Sequence, residues 1–518
     1  MIRFIPARYH PTRPWYTTEG SPLTPETAVS AANTITEMRV FQHGDEPIGL
    51  VVLNYVPSLR RFMHRQGING ITYWNFFDEV QGLEGDDAEP IDFLAMEWPA
   101  DAAFFYNPFA VTVMQGEEVY ARIYLAPDGM LQRIRFYGSG MPSLERIYDD
   151  RGFLSSVLMH DEAGSPATQY YLNRAGDVII SEDVPSGQIT VVQNEADRFQ
   201  QAAYDGWGDL LAELLAQHFA KPENAADTVV LATSEQHNEL IRQALTTQSL
   251  VLARSSLEAS RVSDALLARA MSCFSAEEIS DQDPRWEALP HLSMRPLERR
   301  STFGASANEA DVIISLFTDN IDLEQLDAII ANLAMQMVDD DRTRVNLLTF
   351  RGHDVDRLRD MRRIMDGYQG LDLAALLEDN GSDLAADIGL SQGREPKLKL
   401  VTITREADLI QALAATRLLV DFGDRPDQRV AAEAVCAGVP QVNRQPQDLL
   451  TDRLNGYLVQ SEDQLAEAAD YFLDGLEHWN QSLVQCNALI DLFSPTEVLG
   501  RWELVKGAMD LAGTADWN

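Results

Sequence analysis

From about Phe104 to Val192 the chain leaves the pattern that governs the rest of it, and any fold must accommodate that switch. Val119-Tyr120-Ala121-Arg122-Ile123-Tyr124-Leu125 and Leu131-Gln132-Arg133-Ile134-Arg135-Phe136-Tyr137 alternate with a period of two. Polar turns separate such segments: Asp128-Gly129, Asp150-Arg151-Gly152, Asp161-Glu162-Ala163-Gly164 and Asn173-Arg174-Ala175-Gly176, the last three glycines twelve residues apart. Period-two strands joined by glycine turns predict an antiparallel meander.

On either side, apolar runs alternate with helical periods. Phe4 to Ala7 reads as a first strand, and Thr24-Pro25 as a helix start with a hydroxyl N-cap and proline at N1. Ile35, Met38 and Phe41 form one apolar helical stripe running toward Gln42. Gly49-Leu50-Val51-Val52-Leu53 is a strand buried on both faces, followed by a helix from Pro57 to Arg65. After the meander come a helix over Leu210 to Phe219 and strands at Thr228 to Ala232 and Leu250 to Ala253. A polar, proline-containing stretch from Asp281 to Ala310 reads as a hinge. Further strands begin at Val312-Ile313-Ile314-Ser315-Leu316, Val345 and Leu398. The expected class is α/β. An N-terminal Rossmann-like domain spans 1–103 and 200–305, interrupted by a β-meander domain at 104–199. A C-terminal Rossmann-like domain follows at 306–480, and helices at 481–518 cross back to the first.

The chain has 518 residues, with 80 acidic against 41 basic ones and a net charge of −39. That field repels nucleic-acid phosphates and anionic lipid, so neither is expected as a direct ligand of the average surface. Three scattered cysteines, Cys273, Cys436 and Cys486, fit a reducing compartment. No run approaches the roughly 20 apolar residues of a membrane span. The start, Met1-Ile2-Arg3-Phe4-Ile5-Pro6-Ala7-Arg8-Tyr9, carries no secretion pattern. The expectation is a cytoplasmic chain, in which the sequons at Asn380 and Asn480 are chance.

The segment with most chemical content runs from Leu418 to Val459. It reads Leu418-Leu419-Val420-Asp421, a turn, Ala431-Ala432-Glu433-Ala434-Val435-Cys436-Ala437-Gly438-Val439-Pro440-Gln441-Val442, then Asn455-Gly456-Tyr457-Leu458-Val459. This strand, helix, Gly-x-Pro and strand resembles the donor half of two-Rossmann (GT-B) glycosyltransferases. The resemblance implies two glutamates eight residues apart; Glu433 is the second, but Arg425 stands at the first. It also implies an Arg and a Lys after the first strand of that half, to neutralise a leaving diphosphate. Ser315-Leu316-Phe317-Thr318-Asp319-Asn320-Ile321-Asp322-Leu323-Glu324 offers carboxylates instead. Asp319, Asn320, Arg425 and Glu433 are therefore degenerate donor-site positions. Arg425 could itself hold a phosphate, and Glu433 could simply favour the helix dipole.

Other constellations point to less. The loop Pro6-Ala7-Arg8-Tyr9-His10-Pro11 is proline- and aromatic-rich where a phosphate cradle wants glycine. The nine histidines have no metal spacing, there is no Gly-x-Ser-x-Gly elbow, and no cofactor or metal is expected. Asp339-Asp340-Asp341 reads as a charged turn rather than a metal triplet, and Ser234 with His237 as a helix cap rather than a nucleophile pair.

The N-terminal block carries a second resemblance. Its elements are Phe4-Ile5-Pro6, Tyr9, Trp15-Tyr16 and Met38-Arg39-Val40-Phe41-Gln42. Leu53-Asn54-Tyr55-Val56-Pro57-Ser58-Leu59-Arg60-Arg61-Phe62-Met63-His64-Arg65-Gln66 and Tyr73-Trp74-Asn75-Phe76-Phe77-Asp78-Glu79-Val80-Gln81-Gly82 complete it. These, with Arg425-Pro426-Asp427-Gln428 and Gly438-Val439-Pro440-Gln441-Val442-Asn443, resemble the first accessory secretory protein of the accessory Sec system of Gram-positive bacteria. The resemblance implies a GT-B-like, non-enzymatic component acting with other accessory secretion proteins and the accessory Sec ATPase. Together these export glycosylated serine-rich-repeat adhesins. It further implies a cytoplasmic protein held peripherally at the inner face of the membrane through its partners.

Within an acidic chain, Leu59-Arg60-Arg61-Phe62-Met63-His64-Arg65 is a locally basic helix. Arg60, Arg61 and Arg65 are candidate partner contacts, although half of such a helix should face the core. Two other functions stay open: an active glycosyltransferase modifying the adhesin, and a glycan-binding module without chemistry.

Overall fold

Short aliphatic runs become the strands of two parallel sheets, because only strands covered on both faces can be apolar throughout. The computed structural model describes residues 1–513 apart from 8, 11, 17–31, 45, 69, 109, 194–196, 255–261, 276–284, 287–288, 295, 353 and 380–396. The helix start expected at Thr24-Pro25 and the Asn380 sequon lie outside the described residues.

The chain divides into two units. The first comprises Met1–Glu26, Ser30–Ser293 and Leu504–Asn518. Its strands begin with β1 (Ile2–Ile5), β2 (Ile48–Val52) and β3 (Thr72–Asn75). The insertion supplies β4 (Ala102–Tyr106), β5 (Val111–Gln115), β6 (Glu118–Leu125), β7 (Leu131–Gly138) and β8 (Met141–Tyr148). It continues with β9 (Leu154–His160), β10 (Pro166–Leu172), β11 (Val178–Asp183), β12 (Ile189–Val191) and β13 (Ala203–Tyr204). The parallel sheet then resumes with β14 (Thr228–Ala232), β15 (Ser249–Arg254), β16 (Ser272–Ser275) and β17 (His291–Ser293). Its spatial order is β17-β16-β15-β14-β1-β2-β3, while β4 to β13 form a sequential ten-stranded antiparallel sheet.

Glycine chemistry built that meander as its spacing predicts. Gly152 has φ of +84°, and a Cβ there would stand 1.7 Å from the Glu89 carbonyl oxygen, so only glycine fits. The turn it serves is also where the insertion is fastened. Arg151, fully buried, gives Nε to Asp149 Oδ1 (2.7 Å) and Nη2 to Asp78 Oδ1 (2.8 Å). Arg60 reaches the same turn, with Nη2 on Asp149 (3.0 Å) and Nε on Asp150 (2.5 Å). Tyr55 donates its hydroxyl to Ser155 (2.8 Å), and the Gln81 amide donates to the Ser155 carbonyl (2.9 Å). Segments following β2 and β3 thus hold the β8–β9 turn by charge-assisted bonds.

The second unit comprises Thr27–Val29 and Met294–Glu503. Its strands are β18 (Val312–Phe317), β19 (Thr343–Thr349), β20 (Leu398–Thr402), β21 (Thr416–Asp421), β22 (Gln441–Asn443) and β23 (Gly456–Leu458). They lie in the order β20-β19-β18-β21-β22-β23, all parallel. Two boundaries differ from the expected ones. Met294 already groups with the second unit, where residue 305 was expected as the end of the first, because the segment from Leu297 bonds to Phe493 and Cys436. Of the final helices expected to cross back at 481, only Leu504 onward groups with the first unit, where Lys506 pairs with Glu46 (2.5 Å). Among the described residues no helix is long and apolar enough to cross a membrane.

The helix Ala32–Gln42 buries the predicted stripe of Ile35, Met38 and Phe41, with Phe41 5.6 Å from Phe4 on β1. It also buries Glu37, whose two oxygens have no partner among the described residues. Burial pushes that carboxyl up to about 8. The unfolded chain ionises Glu37 near the ordinary carboxylate range, whereas the folded chain keeps it protonated until about pH 8. Its contribution is therefore complete at acid pH and is lost as pH rises through about 8, with a slope of about 1.4 kcal/mol per pH unit. Glu37→Gln is expected to raise the denaturation midpoint much more at pH 8 than at pH 5. An equal shift at both pH values would contradict this account.

Candidate functional site

In a doubly wound parallel sheet the winding reverses between the first and fourth strands, and the loops leaving them frame a crevice that binds ligands. In the second unit those loops follow β18 and β21, which are neighbours in the sheet. Asp319, Asn320 and Arg425 all lie in them.

Asp319 bonds toward the end of β19. One oxygen accepts from the Thr349 hydroxyl (2.5 Å) and the other from the Phe350 amide (2.9 Å). Asn320 reaches across, its side-chain amide donating to the Arg425 carbonyl (2.8 Å). The approach is tight: a Cβ on Gly423 would stand 2.4 Å from the Asn320 Cβ. Asp421, at the end of β21, is buried and accepts from the Gly423 amide (3.2 Å) and the Asp427 amide (2.7 Å). Burial pushes its carboxyl up to about 7, against the pull of those backbone donors.

The next helix, Gln428–Ala437, points its N-terminus at the loop, where a diphosphate would ordinarily accept free amides. Asp427 already caps it, accepting from the Arg429 amide (3.0 Å) and the Val430 amide (3.2 Å). Cations do reach the crevice, from positions the sequence did not suggest. Arg357 donates to the Thr318 carbonyl (2.6 Å) and the Ile321 carbonyl (2.8 Å). Arg429 pairs with Asp427 (2.8 Å), and Arg444 pairs with Asp424 (3.6 Å). The Arg425 side chain is exposed and has no partner among the described residues.

Glu433 belongs to a different arrangement from the other three. Buried on the second turn of its helix, it receives Arg300 in a two-pronged pair, Nε to Oε1 at 2.9 Å and Nη2 to Oε2 at 2.6 Å. Burial raises the Glu433 carboxyl and Arg300 opposes that shift. The Arg300 amide also donates to the Cys436 carbonyl (3.1 Å), and the Gly304 amide to that of Ala437 (2.9 Å). Glu433 thus anchors the segment entering the second unit, a role stronger than the dipole contact weighed from sequence. Its signal was the Arg299-Arg300 pair inside the presumed hinge.

The first unit's crevice, between β1 and β14, is bridged in a parallel way. Tyr9 and the buried His237 share a hydrogen bond through Nδ1, while Nε2 meets the Ala232 carbonyl (2.6 Å). Burial lowers His237 to about 4. Its ring is therefore committed to Tyr9 and not to Ser234. Ser234 does not cap the helix Asn238–Ala244; its hydroxyl accepts from the Gln236 amide in the preceding turn (3.4 Å).

Of the basic helix, Arg60 is engaged as described, and Arg61 pairs with Asp128 (2.7 Å) and donates its backbone amide to Asp150 (2.9 Å). Arg65 alone of the three is exposed. Asp340 holds Arg342 (2.8 Å) and Asp341 lies 3.5 Å from Lys397.

Residues 1–508 match the family described as the accessory Sec system protein, the first accessory secretory protein. The accessory Sec system protein of that type from Staphylococcus aureus (strain NCTC 8325 / PS 47) is 27% identical, over 98% of this chain and 100% of its own. The crystal structure of accessory secretory proteins 1, 2 and 3 of Streptococcus pneumoniae contains a chain with TM-score 0.79 and 24% identity. The match covers 99% of this chain and 100% of that one. The pneumococcal O-GlcNAc transferase GtfA in complex with UDP and GlcNAc has TM-score 0.64 at 11% identity, with 98% and 99% covered. The fold is accordingly GT-B-like: two Rossmann-type parallel sheets and an inserted antiparallel one.

The Arg300–Glu433 pair makes a direct prediction. Arg300→Ala leaves a buried carboxylate unpaired and is expected to destabilise the second unit by roughly 2–3 kcal/mol, below a fully enclosed pair because Arg300 keeps a solvent-facing side. The double variant Arg300→Met/Glu433→Leu should recover most of that loss. Denaturant titration of the wild type and these two variants decides it, and a double variant no more stable than Arg300→Ala would refute the pairing.

Proposed function

The chain belongs to the family of the first accessory Sec system protein, and on that premise we propose that it is a non-catalytic, GT-B-like subunit of the accessory Sec export machinery. In this reading it acts with the other accessory secretion proteins and the accessory Sec ATPase. The client is a glycosylated serine-rich-repeat adhesin, and the complex sits in the cytoplasm against the membrane through its partners. The observation that supports it most is the Asp427 carboxylate on the helix amides of the β18–β21 crevice. A diphosphate would have to displace that carboxylate, with Asp319 and Asn320 where neutralising cations would help it.

Two features favour alternatives. The intact strand and helix frame around Glu433 favours a working glycosyltransferase, and the unpaired Arg425 beside the crevice favours a nucleotide- or glycan-binding module without chemistry.

Calorimetry and product assays with a panel of UDP-sugars, alongside co-purification with accessory secretory proteins 2 and 3, test the proposal. The expected outcome is a stable complex with neither donor binding nor turnover. Micromolar donor affinity with product formation would make it an enzyme. Donor affinity without product, lost in Arg425→Ala, would make it a binding module. Glu433→Ala is a poor probe here, because it removes the Arg300 partner and the resulting loss of fold would mimic lost catalysis.

A further inference from the structure

The inserted sheet ends in an edge that lacks the usual protection. Among the described residues β4 pairs only with β5, in unbroken register from Ala102↔Gln115 to Tyr106↔Val111. Apart from the Ala102 amide, which donates to the Pro99 carbonyl (2.9 Å), its outer row of backbone donors and acceptors has no partner among the described residues. Edge strands are normally blunted by a charge, a proline, a bulge or a cover. Ala102-Ala103-Phe104-Phe105-Tyr106 has no charge and no proline. Every pairing between β5 and β11 carries a register shift, but the β4 pairing has none. The opposite edge, β13, is only two residues long and is a poor template.

The side chains of β4 are unusual for a water-facing strand. Phe105 is 58% and Tyr106 64% exposed, and as adjacent residues they stand on opposite faces. Phe104 is packed edge-on against Trp98, with ring centroids 5.5 Å apart, which holds the strand in place. No Lys, Arg or His occurs between Leu83 and Ala121. Asp92, Glu97, Asp101, Glu117 and Glu118, in the segments around β4 and β5, are all exposed.

That charge decides the occupant. A second copy of the chain would set acidic flanks against acidic flanks, at a net charge of −39 each, which opposes self-pairing. We propose that β4 is a docking edge for an extended apolar strand flanked by Lys or Arg, donated by a partner protein of the export complex. The backbone ladder supplies affinity, and Phe105 and Tyr106 grip the added strand from its two faces. This rests on the proposed membership of that complex.

The full chain and its Phe105→Glu/Tyr106→Glu variant, assembled with accessory secretory proteins 2 and 3, provide the test. Both side chains are exposed, so the variant should fold, as circular dichroism would verify. Hydrogen exchange at residues 102–106 is expected to slow on assembly, and the variant to bind at least about tenfold more weakly. A complex that forms with unchanged exchange there and unchanged affinity overturns the docking edge while leaving the functional reading intact. Slowed exchange in a dimer of this chain alone replaces the partner by a second copy and overturns the proposal. Failure to assemble at all overturns both.

Discussion

A parallel sheet wound in both directions must leave a gap where the winding reverses, and here two such gaps are bridged by the chain itself. The Asn320 amide meets the Arg425 carbonyl in the second unit, and Tyr9 meets His237 in the first. Helix N-termini expose backbone amides that need an acceptor, and in nucleotide-binding sheets a phosphate meets that need. Asp427 meets it internally. An anion entering this crevice would compete with the Asp427 carboxylate for those amides. The polar loop ends of such a frame can thus be satisfied by one another.

The same logic governs the arginines. In a chain with twice as many acids as bases, each guanidinium has carboxylates within reach, and the well-placed ones are drawn inward. Arg151 and Arg60 converge on Asp149, and Arg300 on Glu433. Taken alone, the residues of the helix Leu59–Arg65 spell a basic surface. Its aspartates lie in a turn about ninety residues later in the chain, and that turn faces the helix only once the insertion has docked.

This marks what was legible and what was not. Periodicity reports which face of an element is covered, so the stripe of Ile35, Met38 and Phe41, the aliphatic strands and the glycine-punctuated meander could all be read directly. It does not report which distant polar group completes a buried one. Glu433 reads as a residue of a donor-site helix, while its partner Arg300 lies in a stretch that reads as a hinge. Ser234 and His237 suggested a cap, but His237 turned to Tyr9, more than two hundred residues earlier. Glu37 gave no signal at all, since a carboxylate in a polar-looking helix position is ordinarily solvated.

Rigidity connects these features to the proposed role. Binding costs whatever order the partners must acquire, so a surface already fixed loses less on association. The insertion is fixed at its root by Arg151 and Arg60 and at its edge by Phe104 on Trp98. β4 keeps its full register with β5 up to the end of the sheet, so its open backbone groups are already spaced for a further strand. A strand added there would bear only its own ordering entropy. The acidic field around it would oppose a second copy of this chain and draw a basic-flanked partner in. Charge that opposes like-charged ligands and copies would then become, at this one edge, the term that selects the partner.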